Sequence, residues 1–159
     1  MMRFLWLSLA VVVLDQVTKL WVDSSFTLHE RVPVINGFFD LMLAYNKGAA
    51  FSFLADQAGW QRWFFTALSV VISVVLLTWL RRLPSSHRWT AFAIALVIGG
   101  AIGNLIDRVA YGHVVDFLLF YIDPWYWPAF NVADSAITVG VVTLIITELF
   151  GLDRRGETT

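Results

Sequence analysis

Four long apolar runs punctuate the chain, at residues 4–22, 63–80, 89–106 and 132–150. Each is close to the roughly 20 apolar residues that an α-helix needs to cross a hydrocarbon core. The first run carries Asp15 and Lys19. They are four apart with the acid first, a spacing that puts both on one helix face and lets them pair. No small-residue cleavage pattern interrupts this run, so it reads as an uncleaved span rather than a signal peptide. The turn at 81–88 is short and polar, which makes the second and third helices antiparallel neighbours. Gly99 and Gly103 form a GxxxG within the third run, a pattern that permits close helix approach.

The stretches between the runs follow a different period. Residues 32–35, the pair Asn36-Gly37 and residues 38–45 read as strand, turn and strand. On the second strand Phe39, Leu41, Leu43 and Tyr45 should face one way, and Phe38, Asp40, Met42 and Ala44 the other. A glycine-bearing turn follows at 46–51. From Asp56 a short amphipathic helix is expected, Gln57 to about Phe64, lying in the membrane interface with Trp60 and Trp63. Residues 114–121 are β-branched and aromatic enough for another strand. Residues 123–128 form an aromatic belt bounded by Pro124 and Pro128, which cannot be helical throughout. The expected fold is an all-α membrane protein: four transmembrane helices, a small extracytoplasmic β-sheet and that short interfacial helix, in one domain spanning 1–159. Residues 23–62 and 107–131 form its extracytoplasmic parts.

Composition agrees with lipid as the solvent. The chain is 58% hydrophobic and 14% charged, against about 25% charged for a soluble domain. Its eight Trp and thirteen Phe suit interfacial aromatic girdles. Six of the eleven Lys and Arg (Arg3, Arg81, Arg82, Arg88, Arg154 and Arg155) fall on one side of a four-span topology. By the positive-inside rule that side is cytoplasmic, so both termini are inside. A net charge of −1 with no basic block gives no sign of a nucleic-acid partner.

The candidate chemistry narrows by elimination. There is no cysteine, so thiolate metal sites, disulfides and Cys nucleophiles are excluded. His29, His87 and His113 are scattered, which argues against a metal site; no cofactor is indicated. No G-x-S-x-G occurs, and Lys19 and Lys47 are the only lysines. Acids remain. Asp116 lies within Val114-Val115-Asp116-Phe117-Leu118-Leu119 and Asp134 at the mouth of the fourth run, both on the outer face. An ionisable residue in such surroundings is a functional-site candidate. Two neighbouring carboxyls cannot both ionise easily, and one shared proton gives a general base beside a general acid. On composition alone other readings stand: Asp107 could be half of such a pair, Asp134 could cap its helix, and Arg108 is placed to pair with Asp107. A proton relay through Asp15, Asp107, Asp116 and Asp134 would suit a transporter, although these acids gather at one side, with Glu148 alone near the other. A structural scaffold would leave the cost of burying the acids unexplained.

Five blocks carry a resemblance. Asp15-Gln-Val-Thr-Lys19, Tyr45-Asn46-Lys-Gly48-Ala49-Ala50-Phe51-Ser52, Gly99-Gly100-Ala-Ile-Gly103-Asn104-Leu-Ile-Asp107-Arg108, Val115-Asp116-Phe117 and Phe130-Asn131-Val-Ala133-Asp134 resemble, in order, the bacterial lipoprotein signal peptidase (signal peptidase II) family. The resemblance implies a four-helix aspartyl endopeptidase of the bacterial cytoplasmic (inner) membrane. Its implied substrates are prolipoproteins carrying a diacylglyceryl-modified lipobox cysteine, cut before that cysteine, with membrane lipids as further partners and a monomeric state. Asp116 and Asp134 are then the implied catalytic pair. Asn46, Gly48, Asn104, Asp107, Arg108, Asn131 and Ala133 fall in the blocks lining the site, and Asp15 and Lys19 support it. On this basis the hairpin and the Trp60–Trp63 segment would form a cradle and lid over substrate.

Overall fold

The structure, a computed structural model, describes residues 1–48 and 60–153. Four helices are long and apolar enough to cross a membrane. They are α1 (Leu5–Ser25, entered through a short 3-10 turn at Met2–Phe4), α2 (Trp60–Arg82), α3 (Arg88–Ala110) and α4 (Val132–Phe150). Strands β1 (Arg31–Ile35), β2 (Phe39–Asn46), β3 (Val114–Ile122) and β4 (Trp125–Tyr126) form one antiparallel sheet in the order β1-β2-β3-β4.

α3 is the central post. Of its apolar window 72% is buried, against 6% for that of α2. Small residues make this possible. A Cβ on Gly99 would meet Val11 and Ser8 of α1, one on Gly100 would strike the Ala133 carbonyl of α4, and one on Gly103 would sit 2.6 Å from Asp15 Oδ2. The GxxxG face is therefore turned toward α1, and the intervening Gly100 toward α4. Exposed Trp6, Leu9, Val13, Leu14 and Val17 on α1, and Val71, Val74 and Val75 on α2, mark faces that lipid would cover.

The helix ends are tied to one another across the bundle. Beyond α4, whose last turn closes through Gly151 in the left-handed region (φ 58°), the Asp153 carboxylate accepts from Trp89 N, Thr90 N and Thr90 Oγ1. It thereby satisfies donors that the first turn of α3 leaves open. At the far end Arg62 of α2 donates to the Val109 carbonyl. With that anchor α3 runs to Ala110 rather than stopping at 106, so Asp107 and Arg108 are helical residues and not part of the following segment.

The hairpin forms around Asn36-Gly37, with Gly37 at φ 80° and Phe38 N donating to the Ile35 carbonyl. β2 does not keep the expected alternation. Its pairing with β3 shifts between Leu41 and Ala44, and such a bulge adds a residue that reverses the facing beyond it. Asp40 and Leu43, expected on opposite faces, are both buried. Leu43 packs with Val22, Val115 and Phe117 in the core beneath the sheet. Asp40 is covered by Arg31, which bonds it at 2.6 Å. The aromatic belt folds back as β4, with Trp125 and Tyr126 opposite Ile122 and Tyr121.

The separate interfacial helix expected from Gln57 to about Phe64 falls partly outside the described residues. Its described part, from Trp60 onward, is the opening of α2, since no glycine or proline separates it from the apolar run. The remainder of the expected lid and the turn beyond Gly48 also lie outside the described residues.

Candidate active site

Asp116 and Asp134 reach the site from different elements that backbone bonds hold together. Phe130, just before α4, pairs with Leu118 of β3: its carbonyl accepts from Phe117 N and Leu118 N, and its N–H donates to the Leu118 carbonyl. Asp116 lies opposite Ala44 on β3, and Asp134 occupies the first turn of α4. The N-cap of α4 is Asn131, whose Oδ1 accepts from Asp134 N at 2.9 Å. Capping by Asn131 leaves the Asp134 carboxylate available for the site.

Three carboxamides serve the two acids. Asn131 Nδ2 donates to Asp116 Oδ1 at 2.7 Å and Asn46 Nδ2 to Asp116 Oδ2 at 3.0 Å. Asn104 Nδ2 donates to Asp134 Oδ1 at 2.7 Å. Asp116 is only 2% exposed. Burial first, and then the charge of Asp134, push its carboxyl up to about 7, against the opposing amide donors and Lys19. Burial and the neighbouring acid both favour the protonated form of Asp116. Gly48 contributes through its backbone: at φ 95° its N–H donates to Asn46 Oδ1 at 2.8 Å, and a Cβ there would run into the Phe65 ring.

A second cluster lies beside the first. The buried Lys19 ammonium contacts Asp15 at 2.8 Å, Asp107 at 3.0 Å and Asn104 Oδ1 at 3.0 Å. Asp15 also accepts from Ala133 N at 2.9 Å, tying α1 to α4. Asp107 accepts further from Gln16 Nε2 at 2.9 Å and from Val115 N at 3.0 Å. The expected pairing of Asp107 with Arg108 is therefore corrected: successive residues on a helix point about 100° apart, and Asp107 turns to α1. Gln16 was missed in the sequence; a polar amide inside an apolar run between Asp15 and Lys19 was its one signal.

Arg108 instead stacks over Phe65, 5.4 Å from the ring centre, with a long contact to the Asn104 carbonyl at 3.4 Å. It lines a slot between α2, α3 and α4 with Asn104 and Asp134, below which Leu68, Ile72, Val97 and Ile137 make the walls apolar. The arrangement can do acid–base work on a polar bond delivered at the mouth of an apolar channel.

The chain is similar to characterised groups of proteins over nearly its whole length. The sequence model of a family described as "Signal peptidase (SPase) II" matches residues 7–150. The lipoprotein signal peptidase of Pseudomonas fluorescens (strain Pf-5) is 53% identical over 155 residues, covering 97% of this chain and 91% of that protein. That of Cupriavidus taiwanensis is 58% identical over 147 residues, covering 91% and 82%. A bacterial membrane enzyme solved by the in meso method at 1.9 Å resolution superposes with a TM-score of 0.84 at 32% identity, covering 94% of each chain.

Proposed function

The chain belongs to the signal peptidase II family, and from that premise we propose that it is an aspartyl endopeptidase removing signal peptides from diacylglyceryl-modified prolipoproteins. What carries the reading is that Asp116 and Asp134, from β3 and α4, are drawn to one residue, Asn131, which donates to one acid and caps the helix of the other.

The dyad holds one proton near neutral pH. Its ionised member takes a proton from a bound water, whose oxygen attacks the scissile carbonyl carbon. The protonated member gives its proton to the carbonyl oxygen, so the tetrahedral intermediate forms without a free oxyanion. On collapse, a dyad proton passes to the departing nitrogen, the C–N bond breaks, and the signal peptide leaves as a carboxylic acid. The freed amine belongs to the lipidated cysteine. Asn46, Asn104 and Asn131 hold the carboxyls in place, and the Arg108 guanidinium at the slot mouth can donate to substrate carbonyls. The apolar slot suits a hydrophobic signal segment arriving from the membrane. In this reading the protein is a monomeric, one-domain enzyme of the inner membrane. Its termini are cytoplasmic and its sheet and dyad lie at the outer face, among membrane lipids.

The test is turnover of a diacylglyceryl-modified prolipoprotein by purified Asp116→Asn and Asp134→Asn proteins. An amide cannot cycle the proton, so each should lose about 10³-fold or more in kcat while remaining folded and membrane-inserted. Wild-type-like turnover by either folded variant would overturn the dyad.

A further inference from the structure

Lys19 is 2% exposed and has more acceptors than its charge requires. An ammonium carries three N–H donors and accepts nothing. Two of its contacts are the acids Asp15 and Asp107, and the third is the neutral oxygen of Asn104. That third bond has a direction. With Oδ1 of Asn104 against the ammonium, Nδ2 points the other way, onto Asp134 Oδ1 at 2.7 Å. The reversed amide would set an NH₂ group against the ammonium and an oxygen against a carboxylate, and both contacts repel.

The other two carboxamides of the site are polarised in the same manner. Gly48 N–H holds Asn46 Oδ1, so Nδ2 of Asn46 meets Asp116; Asp134 N–H holds Asn131 Oδ1, so Nδ2 of Asn131 meets Asp116 as well. In those two cases the orienting donor is backbone. For Asn104 the strongest orienting donor is a side chain contributed by α1, with Asn131 Nδ2 a longer second one at 3.2 Å.

We propose that Lys19 is a positioning residue for the peptidase reaction, acting through Asn104 to keep an N–H donor on Asp134. The inference rests on the dyad reading above. A donor on a carboxylate favours its ionised form. Losing it raises the lower apparent pKa of the dyad, and the acid limb of the kcat profile moves to higher pH. The charged groups that face the acids are Lys19 and Asp15 from α1 and Asp107 and Arg108 from α3, with Asp116 on β3 and Asp134 on α4 facing each other. Lys19 also acts on the dyad directly through its charge, so the experiment must separate the two routes.

A mutant cycle does so. Lys19→Met combined with Asp15→Asn removes one charge of each sign, and is compared with Asp15→Asn alone; in the pair, with no ammonium competing for it, the amide oxygen can accept from Ala133 N. The neutral pair should keep KM, lower kcat about tenfold and raise the acid limb by about one pH unit, the scale of one hydrogen bond to an ionised group. In an Asn104→Ala background the same Lys19 change should move the limb clearly less, by the part that its charge alone contributes. An equal shift with and without Asn104 means that Lys19 acts by charge alone, and overturns the proposal; so does no shift in the folded pair. Should that pair fail to fold, Lys19→Met with Asp107→Asn takes its place, read against Asp107→Asn and on the same criteria. Inactive Asp116→Asn and Asp134→Asn alongside zero coupling would leave the dyad intact and remove only Lys19.

Discussion

Asp116 is held where its ionised form is disfavoured, and stability should record it. Its folded pKa, about 7, lies above the ordinary carboxylate value of 3.8. Between those values the folded state binds more protons than the unfolded, so stability falls as pH rises from about 4 to about 7, then levels off. Asp116→Asn removes the ionisation that burial opposes. At pH 8 it should melt above wild type by an amount worth on the order of 1–3 kcal/mol, part of the gain being offset because one amide donor of Asn46 or Asn131 then meets an NH₂ group. The advantage should shrink toward pH 4; thermal melts in one detergent across that range provide the check, and a variant less stable than wild type at pH 8 contradicts it. At this scale the acids and the three asparagines could be read from their blocks in the sequence. Their partners were only half legible. Asp15 is four residues from Lys19, and helical spacing pairs them. Asp107 meets Lys19 from another helix, and nothing local announces that contact or the turning of Arg108 toward Phe65.

Among the elements, hydropathy located all four spans but not where they end. α3 outruns its apolar stretch because Asp107 finds its partners within the bundle and Arg62 closes its last turn. Charge ends a hydropathy run without ending a helix. The bulge in β2 was equally invisible, since a one-residue insertion leaves composition unchanged. The glycines were legible as close-packing positions, though the helix each would meet was not. Gly103→Ala tests that packing: its Cβ would lie 2.6 Å from Asp15 Oδ2 and 3.3 Å from Ala133 Cβ, so α1, α3 and α4 cannot all hold position. The expected loss is about 1–3 kcal/mol, seen as a lower melting temperature, with a fall in kcat because Ala133 and Asp134 shift together. Wild-type melting would show that the three helices yield more easily than their contacts suggest.

The proposed orientation of the whole molecule rests on where its cations gather, and the lack of cysteine in the sequence makes it measurable. A single cysteine at Ser86, in the turn between α2 and α3, should resist an impermeant thiol reagent in intact cells. One at Val34, exposed on β1, should react. The reverse pattern would turn the site toward the cytoplasm and remove it from the side where secreted polypeptides emerge. The sheet lies at the helix ends opposite that turn, as the alternation of spans and polar segments implied. How β3 and α4 meet was not legible, because it depends on backbone bonds between Phe130 and Leu118 that any sequence could make.

That junction bears on how the protein is made. Ribosomes deliver α4 after the other three helices, and with it come Asp134, the Asn131 amide and the Ala133 N–H that donates to Asp15. A nascent chain that has inserted three spans already carries Asp116, yet it has neither Asp134 nor the Asn131 cap that orients it. Under the proposed mechanism each copy is inert until α4 is made and gains hydrolytic capacity only when that helix docks. On that mechanism, copies in which α4 has not yet docked would leave precursors beside them uncut.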